Sequence, residues 1–441
     1  MSAKSTLRLL LAVLLAGSMW FYVQHVLIPR QQSEAALYDV PRGNLSDLYP
    51  RWLGARELWL HHRDPYSAEV TREIQAGYYG RPLDPAKPHD PKDEQGFAYP
   101  AYVVFLLAPT VTLPFEIVQV GFRWLLIGLT VASLRLWLRT LRWRISTETA
   151  AILVVLTLGS FPVLQAIKLQ QLSLLVAGLI AISAMLLSEG HLFWAGVLLA
   201  LATIKPQLAL PISAWFLLWA LSDWTRRRSF WWGFVGTMAA LAGGAEFLLP
   251  GWIGRFREAI VAYRRYNQGA ESVLDILMTP QWGRWLALLI MVGLAGVAWQ
   301  RRRVAAGSGE HNWVTVLILA ATVVVMPKAS PYNQVLLLPG ILLLLQQWMG
   351  WWGRSRSRRA VAAICEFTLL WPWLAALGLF VASAFLPAAS IQTGWALPLY
   401  TNMAIPVAVL ALLAPGLADR VKSAGSTTEG GPRLAFPPRP R

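Results

Sequence analysis

The chain is predicted to be an all-α polytopic membrane protein, a bundle of about twelve transmembrane helices with amphipathic interfacial helices in its extracytoplasmic loops. Three observations predict this. Hydrophobic residue types make up 56% of the 441 residues and charged types only 14%, where a soluble domain carries roughly 25% charged residues. Apolar stretches approaching the ~20 residues needed to cross a bilayer recur along the whole sequence. Arginines gather in short clusters at the ends of those stretches, which is the positive-inside pattern. Together these exclude a water-soluble fold.

The net charge of +16 would suit a nucleic-acid partner if the basic residues formed one patch. They lie between apolar runs instead, so the charge reports topology and no nucleic acid is expected. The lone Cys365 can form no internal disulfide.

The first apolar run, near 7–28, follows Lys4 and Arg8. It exceeds the ~7 to 15 residues of a signal-peptide core and lacks a small-x-small cleavage site, so it reads as a retained first helix. A long loop near 29–98 follows. Further helices are expected near 116–138, 150–167, 172–188, 191–205, 208–222, 230–249, 282–299, 313–326, 334–349, 361–384 and 397–416, with a second long loop near 250–281. The arginine clusters at Arg135, Arg139, Arg142 and Arg144, at Arg226 to Arg228, at Arg301 to Arg303, and at Arg354, Arg356, Arg358 and Arg359 then mark the cytoplasm, and both termini lie there. Tyr99 to Pro114 is apolar but short and bounded by prolines. A crossing there would turn the Arg135 cluster outward, so it reads as a re-entrant or partial element. Residues 1–422 form one transmembrane domain, and 423–441, rich in Gly, Pro, Ser and Arg, a disordered cytoplasmic tail. No internal repeat is visible, which weighs against an inverted-repeat transporter.

In the first loop Leu48, Trp52, Ala55 and Trp59 share a helical face opposite Arg51, Arg56 and Glu57. This predicts an amphipathic helix in the outer membrane interface, ended by the turn signal Asp64-Pro65-Tyr66. Asp47 stands at its start. Spacing favours an ordinary N-cap, while a carboxylate held at a membrane surface could equally serve as general base toward an acceptor hydroxyl. Lys168, Lys205 and Lys328 lie at outer helix ends. For Lys205, before Pro206, snorkelling and a functional role weigh equally. In the second loop Phe256, Ile260 and Tyr263 share a face, which suits a helix resting on anionic headgroups; alternatively Arg264 or Arg265, with Tyr263 and Tyr266, binds a phosphate or a glycan. Adjacent His61 and His62 point about 100° apart on a helix, and with no CxxC or HExxH spacing no metal is expected. Asp84, Asp90, Asp93 and Glu94, set among prolines, read as a solvated loop covering the site. The 23 tryptophans mostly border helices, as aromatic belts do.

Several of these motifs recur in a fixed order: Asp47-x-Tyr49, Asp64-Pro65-Tyr66, Tyr99-Pro100 with an apolar stretch to Leu113-Pro114, Gln171-Leu172-Ser173, Ala195-Gly196-Val197 leading to Lys205-Pro206-Gln207, and Ser330-Pro331-Tyr332 leading to Leu336-Leu337-Leu338-Pro339. Over roughly residues 40–345 this set resembles glycosyltransferase family 87, the polyprenyl-phosphate-mannose-dependent mannosyltransferases of the GT-C fold. The chain departs from the family's pattern at Gln170-Gln171, where Gly-Gln is common, at Tyr99-Pro100-Ala101, where Tyr-Pro-Pro is common, and at Pro331-Tyr332-Asn333, which lacks a histidine that many members carry.

The resemblance implies an inverting glycosyltransferase of a bacterial-type plasma membrane. It would move a hexose, with mannose expected, from a polyprenyl phosphate to a glycolipid or glycan acceptor on the extracytoplasmic side. Asp47 matches the family's catalytic aspartate, and Lys205 would hold the donor phosphate. Gln171, Gln207, Arg264, Arg265, Tyr66, Tyr99, Lys328, Tyr332 and Asn333 are the other expected substrate-binding residues. No cofactor is expected, since the lipid-linked sugar is itself the donor, and membrane lipids are the remaining partners. The chemistry is coherent. A phosphate monoester has its second pKa near ~6 and departs without protonation, so one carboxylate suffices where glycosidases use two. What the site needs is positive charge for the phosphate. A transporter or flippase of a lipid-linked or anionic solute would instead concentrate charge near the bilayer midplane. A ligase using a polyprenyl diphosphate would need to bind two phosphates, for which the second loop's arginines could serve.

Overall fold

The computed structural model describes residues 3–37, 46–84, 86–87, 90–266, 271–348 and 356–414. The expected tail at 423–441, Arg354, and the side chains of Arg358 and Tyr266 lie outside the described residues. Within them the fold is all helical, with no strand. Five helices are long and apolar enough to cross a membrane, namely Lys4–Leu37, Phe115–Thr140, Pro280–Arg301, Arg359–Ala382 and Ala388–Ala414, and there are up to seven if two bent pairs each count as one span. Shorter apolar helices at Leu172–Ser188, Leu192–Ala202, Pro206–Leu221, Gly309–Val325 and Pro331–Gln346 fill the bundle. All fall on the apolar runs read from the sequence.

The first helix runs on past Pro29 to Leu37 instead of ending where the loop was expected to open. A π-helical stretch at Tyr22–Leu27 precedes that proline, and such a bulge shifts the hydrogen-bond register that an in-helix proline would otherwise clash with. The expected 150–167 helix is two, Thr147–Leu158 and Phe161–Lys168, bent by 57°. At the bend a Cβ on Gly159 would lie 2.4 Å from the Cβ of Ala16, so only glycine allows the first helix this close.

The Gly309–Val325 and Leu172–Ser188 helices are buried on nearly every face, as expected of helices apolar all round. Beside them Leu192–Ala202 crosses Trp224–Leu248 on two glycines. A Cβ on Gly196 would sit 2.2 Å from the carbonyl oxygen of Phe230, and one on Gly233 2.2 Å from that of Phe193. Small residues at such crossings let backbones touch where no hydrophobic drive separates helix from lipid. Gly196→Val is therefore expected to force the pair apart at a cost of about 1–3 kcal/mol or more, read as a lowered Tm of the purified protein. Gly236→Ala is the control, since a Cβ there meets nothing within 4 Å.

Three of the arginine clusters lie at one end of the bundle. Arg227 donates to the carbonyls of Arg302 at 3.1 Å, Arg303 at 3.3 Å and Val304 at 3.2 Å. Arg139 pairs with Glu189 at 2.5 Å, Arg301 with Glu310 at 3.0 Å, and Asn312 donates to the Thr140 carbonyl at 2.8 Å. From this end Leu172–Ser188, Pro206–Leu221 and Gly309–Val325 run to the opposite end, about 25 Å away at 1.5 Å per residue. There they present Gln171, Lys205 and Lys328, and there the two long loops fold.

In the first loop Tyr49–His61 packs between Ala68–Tyr79 and Val103–Leu107. The polar face of this expected interfacial helix is engaged by protein. Arg56 donates to the Val111 carbonyl at 2.7 Å, and buried Glu57 pairs with Arg63 at 2.8 Å. The polar side chains thus find protein partners where lipid headgroups were expected. Tyr99 to Pro114 supplies only the five-residue helix Val103–Leu107 and a 3-10 turn at Ala108–Thr110, far too short to cross. In the second loop the chain turns by 92° after Trp224–Leu248, with Gly251 at φ +76. The next helix, Trp252–Tyr266, thus lies across the end of the bundle. A 3.2 Å pair between Arg255 and Asp64 ties it to the first loop.

Candidate active site

Asp47 is fixed by its backbone, whose N–H donates to the Leu169 carbonyl at 2.9 Å. The helix that follows does not use its side chain. Leu48 occupies the cap position without a side-chain bond and donates instead to Ser46 Oγ at 3.3 Å, and Pro50 in the first turn has no N–H to satisfy. This corrects the capping reading of Asp47. Its carboxylate accepts from Gln171 Nε2 and, at 3.5 Å, from the Tyr78 hydroxyl. Burial pushes its pKa above the usual carboxylate range and nearby Asp93 adds to the push, while Arg51, Lys205 and the Gln171 amide oppose it.

Gln171 reaches Asp47 because Gln170 takes the left-handed conformation, φ +46, which glycine adopts without penalty. Here the side chain offsets the strain: Gln170 Nε2 donates to the carbonyls of Ile167 at 2.7 Å and Lys168 at 2.8 Å, and its Oε1 accepts from Gln119 at 3.1 Å. Gln171 then starts the Leu172–Ser188 helix with its amide turned toward the site.

Lys205, between two helices, is 3% exposed, so it does not snorkel. Its Nζ donates to Ser173 Oγ at 2.6 Å, Gln171 Oε1 at 3.1 Å and Asn333 Oδ1 at 3.3 Å, and sits 4.9 Å from the centre of the Tyr332 ring. All three partners are neutral, and no ion pair among the described residues includes Lys205. Its charge is therefore uncompensated by a direct carboxylate. Gln171 bridges it to Asp47, accepting from one and donating to the other.

Lys328, held at φ +63, donates to the Tyr263 hydroxyl and lies 3.8 Å from Asp93. The helix across the bundle end is thereby joined to the acidic stretch of the first loop. Asp90 in that stretch is clipped by the Arg81 fork at 2.6 and 2.9 Å, which holds its pKa down at about 2.

These side chains surround a cavity of about 390 Å³, within the usual range of small-ligand sites. Of the residues singled out from sequence, Asp47, Gln171, Lys205, Gln207, Arg264, Tyr99, Lys328, Tyr332 and Asn333 line it. Two do not. Tyr66 stands behind the wall, its hydroxyl donating to the Tyr99 carbonyl at 2.6 Å and its ring packed edge-on against Phe97. Arg264 and Arg265 are both exposed, but only Arg264 lines the cavity. Lys168 turns to Gln31 at 3.1 Å. Arg51, expected only on the polar face of an interfacial helix, lines the cavity, and so does Asp93, from the loop expected to cover the site. No tryptophan contributes to the wall.

The wall carries four cations, Arg51, Lys205, Arg264 and Lys328, against two carboxylates, Asp47 and Asp93. Such an arrangement can hold an anionic group beside a carboxylate able to take a proton, with aromatic surface from Tyr99, Tyr263, Tyr332 and Phe256 around it.

Comparison with known proteins identifies a family. The profile of Glycosyltransferase family 87 matches residues 97–331, just over half of the chain. That stretch supplies most of the cavity wall, from Ala98 to Ser330, while Asp47, Arg51, Asp93, Gln95 and Gly96 precede it and Tyr332 and Asn333 follow it. No curated protein and no solved structure matches the chain. On the family match, the chain belongs to glycosyltransferase family 87.

Proposed function

We propose that this membrane glycosyltransferase takes a hexose, mannose by the family resemblance, from a polyprenyl phosphate and transfers it with inversion to a hydroxyl of a glycolipid or glycan. The observation that carries the reading is the joining of Asp47 to Lys205 through one amide on the wall of a cation-rich cavity. In the reaction the acceptor oxygen attacks the anomeric carbon while its proton passes to the Asp47 carboxylate. The bond from that carbon to the phosphate oxygen breaks, and its electron pair leaves with the phosphate. The donor phosphodiester carries one negative charge and the departing polyprenyl phosphate carries close to two. Lys205, with Lys328 and Arg264, meets the charge that develops.

The reading extends to topology. With the shorter apolar helices and the bent pairs counted as crossings, the chain spans the membrane twelve times with both ends in the cytoplasm. The gathering of arginines at the end opposite the cavity supports an extracytoplasmic active site.

The test is transfer of labelled mannose from a short-chain polyprenyl phosphate mannose by the protein reconstituted in nanodiscs. Its pH dependence carries a specific expectation. A general base works only when ionised, so kcat/KM falls as pH drops through the Asp47 pKa. Burial places that acid limb above the ordinary carboxylate range. Asp93→Asn removes a neighbouring negative charge that pushes the pKa up, so its limb should move to lower pH. A limb that stays in place, or moves up, would contradict the assignment of that limb to Asp47.

A further inference from the structure

Resting on the reading of the cavity as a donor-phosphate site, we infer that Arg51 is a direct ligand of that phosphate, its buried Nε–H reserved for a non-bridging oxygen. Helical spacing gives Arg51 to a headgroup-facing surface, yet in the fold its guanidinium enters the cavity wall. Two contacts fix its plane. It lies over the Tyr99 ring at 4.5 Å from the centre, and Nη1 donates to the backbone carbonyl of Asp47 at 2.9 Å. Nε is buried and has no acceptor, and no ion pair among the described residues includes Arg51.

A guanidinium is charged at any pH a cell meets, and a buried charged N–H without an acceptor is costly. The Asp47 carboxylate attracts the guanidinium through space but does not accept its Nε–H, since its side-chain bonds come from Gln171 and Tyr78 and it offers Arg51 only a carbonyl. An occupant of the cavity that carries an anionic oxygen would supply the acceptor. The planar donor edge of arginine matches phosphate oxygens. Because the phosphate gains a negative charge as the sugar leaves, the contact strengthens on the way to the transition state and acts on kcat as well as on binding.

The experiment separates this from the role of Asp47 by measuring binding without turnover. Short-chain polyprenyl monophosphate, the leaving group itself, is titrated against nanodisc-embedded Asp47→Asn protein with and without a second change, Arg51→Met or Arg51→Lys. Losing a charge-assisted bond should weaken monophosphate binding about tenfold or more in the Met variant, with Lys intermediate because it keeps the charge but not the planar edge. Binding of the unphosphorylated polyprenol should stay unchanged. Equal loss of both ligands together with a fallen Tm would assign Arg51 a structural role and overturn the proposal, as would unaltered monophosphate binding. Loss confined to a competing phosphodiester lipid, with monophosphate binding unaltered, would take Arg51 off the leaving phosphate and overturn the proposal. Should Asp47→Asn itself turn over, the general-base reading falls while the Arg51 comparison still reads; protein that binds no polyprenyl phosphate at all sinks both.

Discussion

Asp47→Asn is expected to abolish hexose transfer, lowering kcat by about 10²- to 10⁴-fold, while leaving the fold and donor binding intact. The two outcomes are separable because the helix start does not depend on the carboxylate. Leu48 N–H goes to Ser46 Oγ, and Asp47 is anchored by its own backbone to Leu169. Asparagine retains an oxygen for the Gln171 amide and turns an NH2 toward the Tyr78 hydroxyl, which can accept in place of donating; it loses the negative charge and the capacity to accept a proton. Removal of a buried charge whose burial is unfavourable should leave Tm equal to or above that of the parent. Activity is read as labelled mannose in product, and folding as Tm and monodispersity in the same preparation. Unfolded Asp47→Asn protein would return the residue to a structural role.

The second large effect is expected at Lys205. Lys205→Met keeps the apolar stem and removes the charge, and loss of one preorganised donor to a developing anion costs about 10²- to 10³-fold in kcat. Stability should not fall with it. The ammonium is buried among neutral oxygens, an arrangement that is expensive without an anion, and Ser173 already donates to Asn333 at 2.8 Å, so those two remain paired after the substitution. Lys168→Met, which alters a lysine turned to Gln31 outside the cavity, is the control and should transfer normally. Parallel losses at both lysines would point to general helix-end electrostatics.

The helices were legible because a bilayer allows few ways to satisfy a backbone: apolar runs must be helical whatever they pack on. Their bends were less so. The break at Gly159 follows from the approach of Ala16, a contact distant in sequence. Within the site, ordered motifs pointed to Asp47, Tyr99, Gln171, Lys205, Gln207 and Tyr332, which line the cavity near helix ends, where the chain must expose polar groups. Arg51 escaped because helical spacing tells which residues share a face but not what covers it, and here a second layer of loop covers the polar face too. Arg264 and Arg265 could not be separated without the fold; adjacent helical residues diverge by about 100°, and only the register of Trp252–Tyr266 over the cavity selects Arg264. Lys328 and Lys168 looked alike as helix-end cations. A left-handed residue aims the first inward, at Tyr263 and Asp93.

At the root of this account is a direct displacement at the sugar carbon, driven by one carboxylate that takes a proton and never bonds to the sugar. NMR assignment of the new glycosidic linkage, compared with the anomeric configuration of the donor supplied, tests it most directly. Opposite configurations are the expected result. Retained configuration would mean a glycosyl-enzyme intermediate or a front-face route, and would contradict the role given to Asp47.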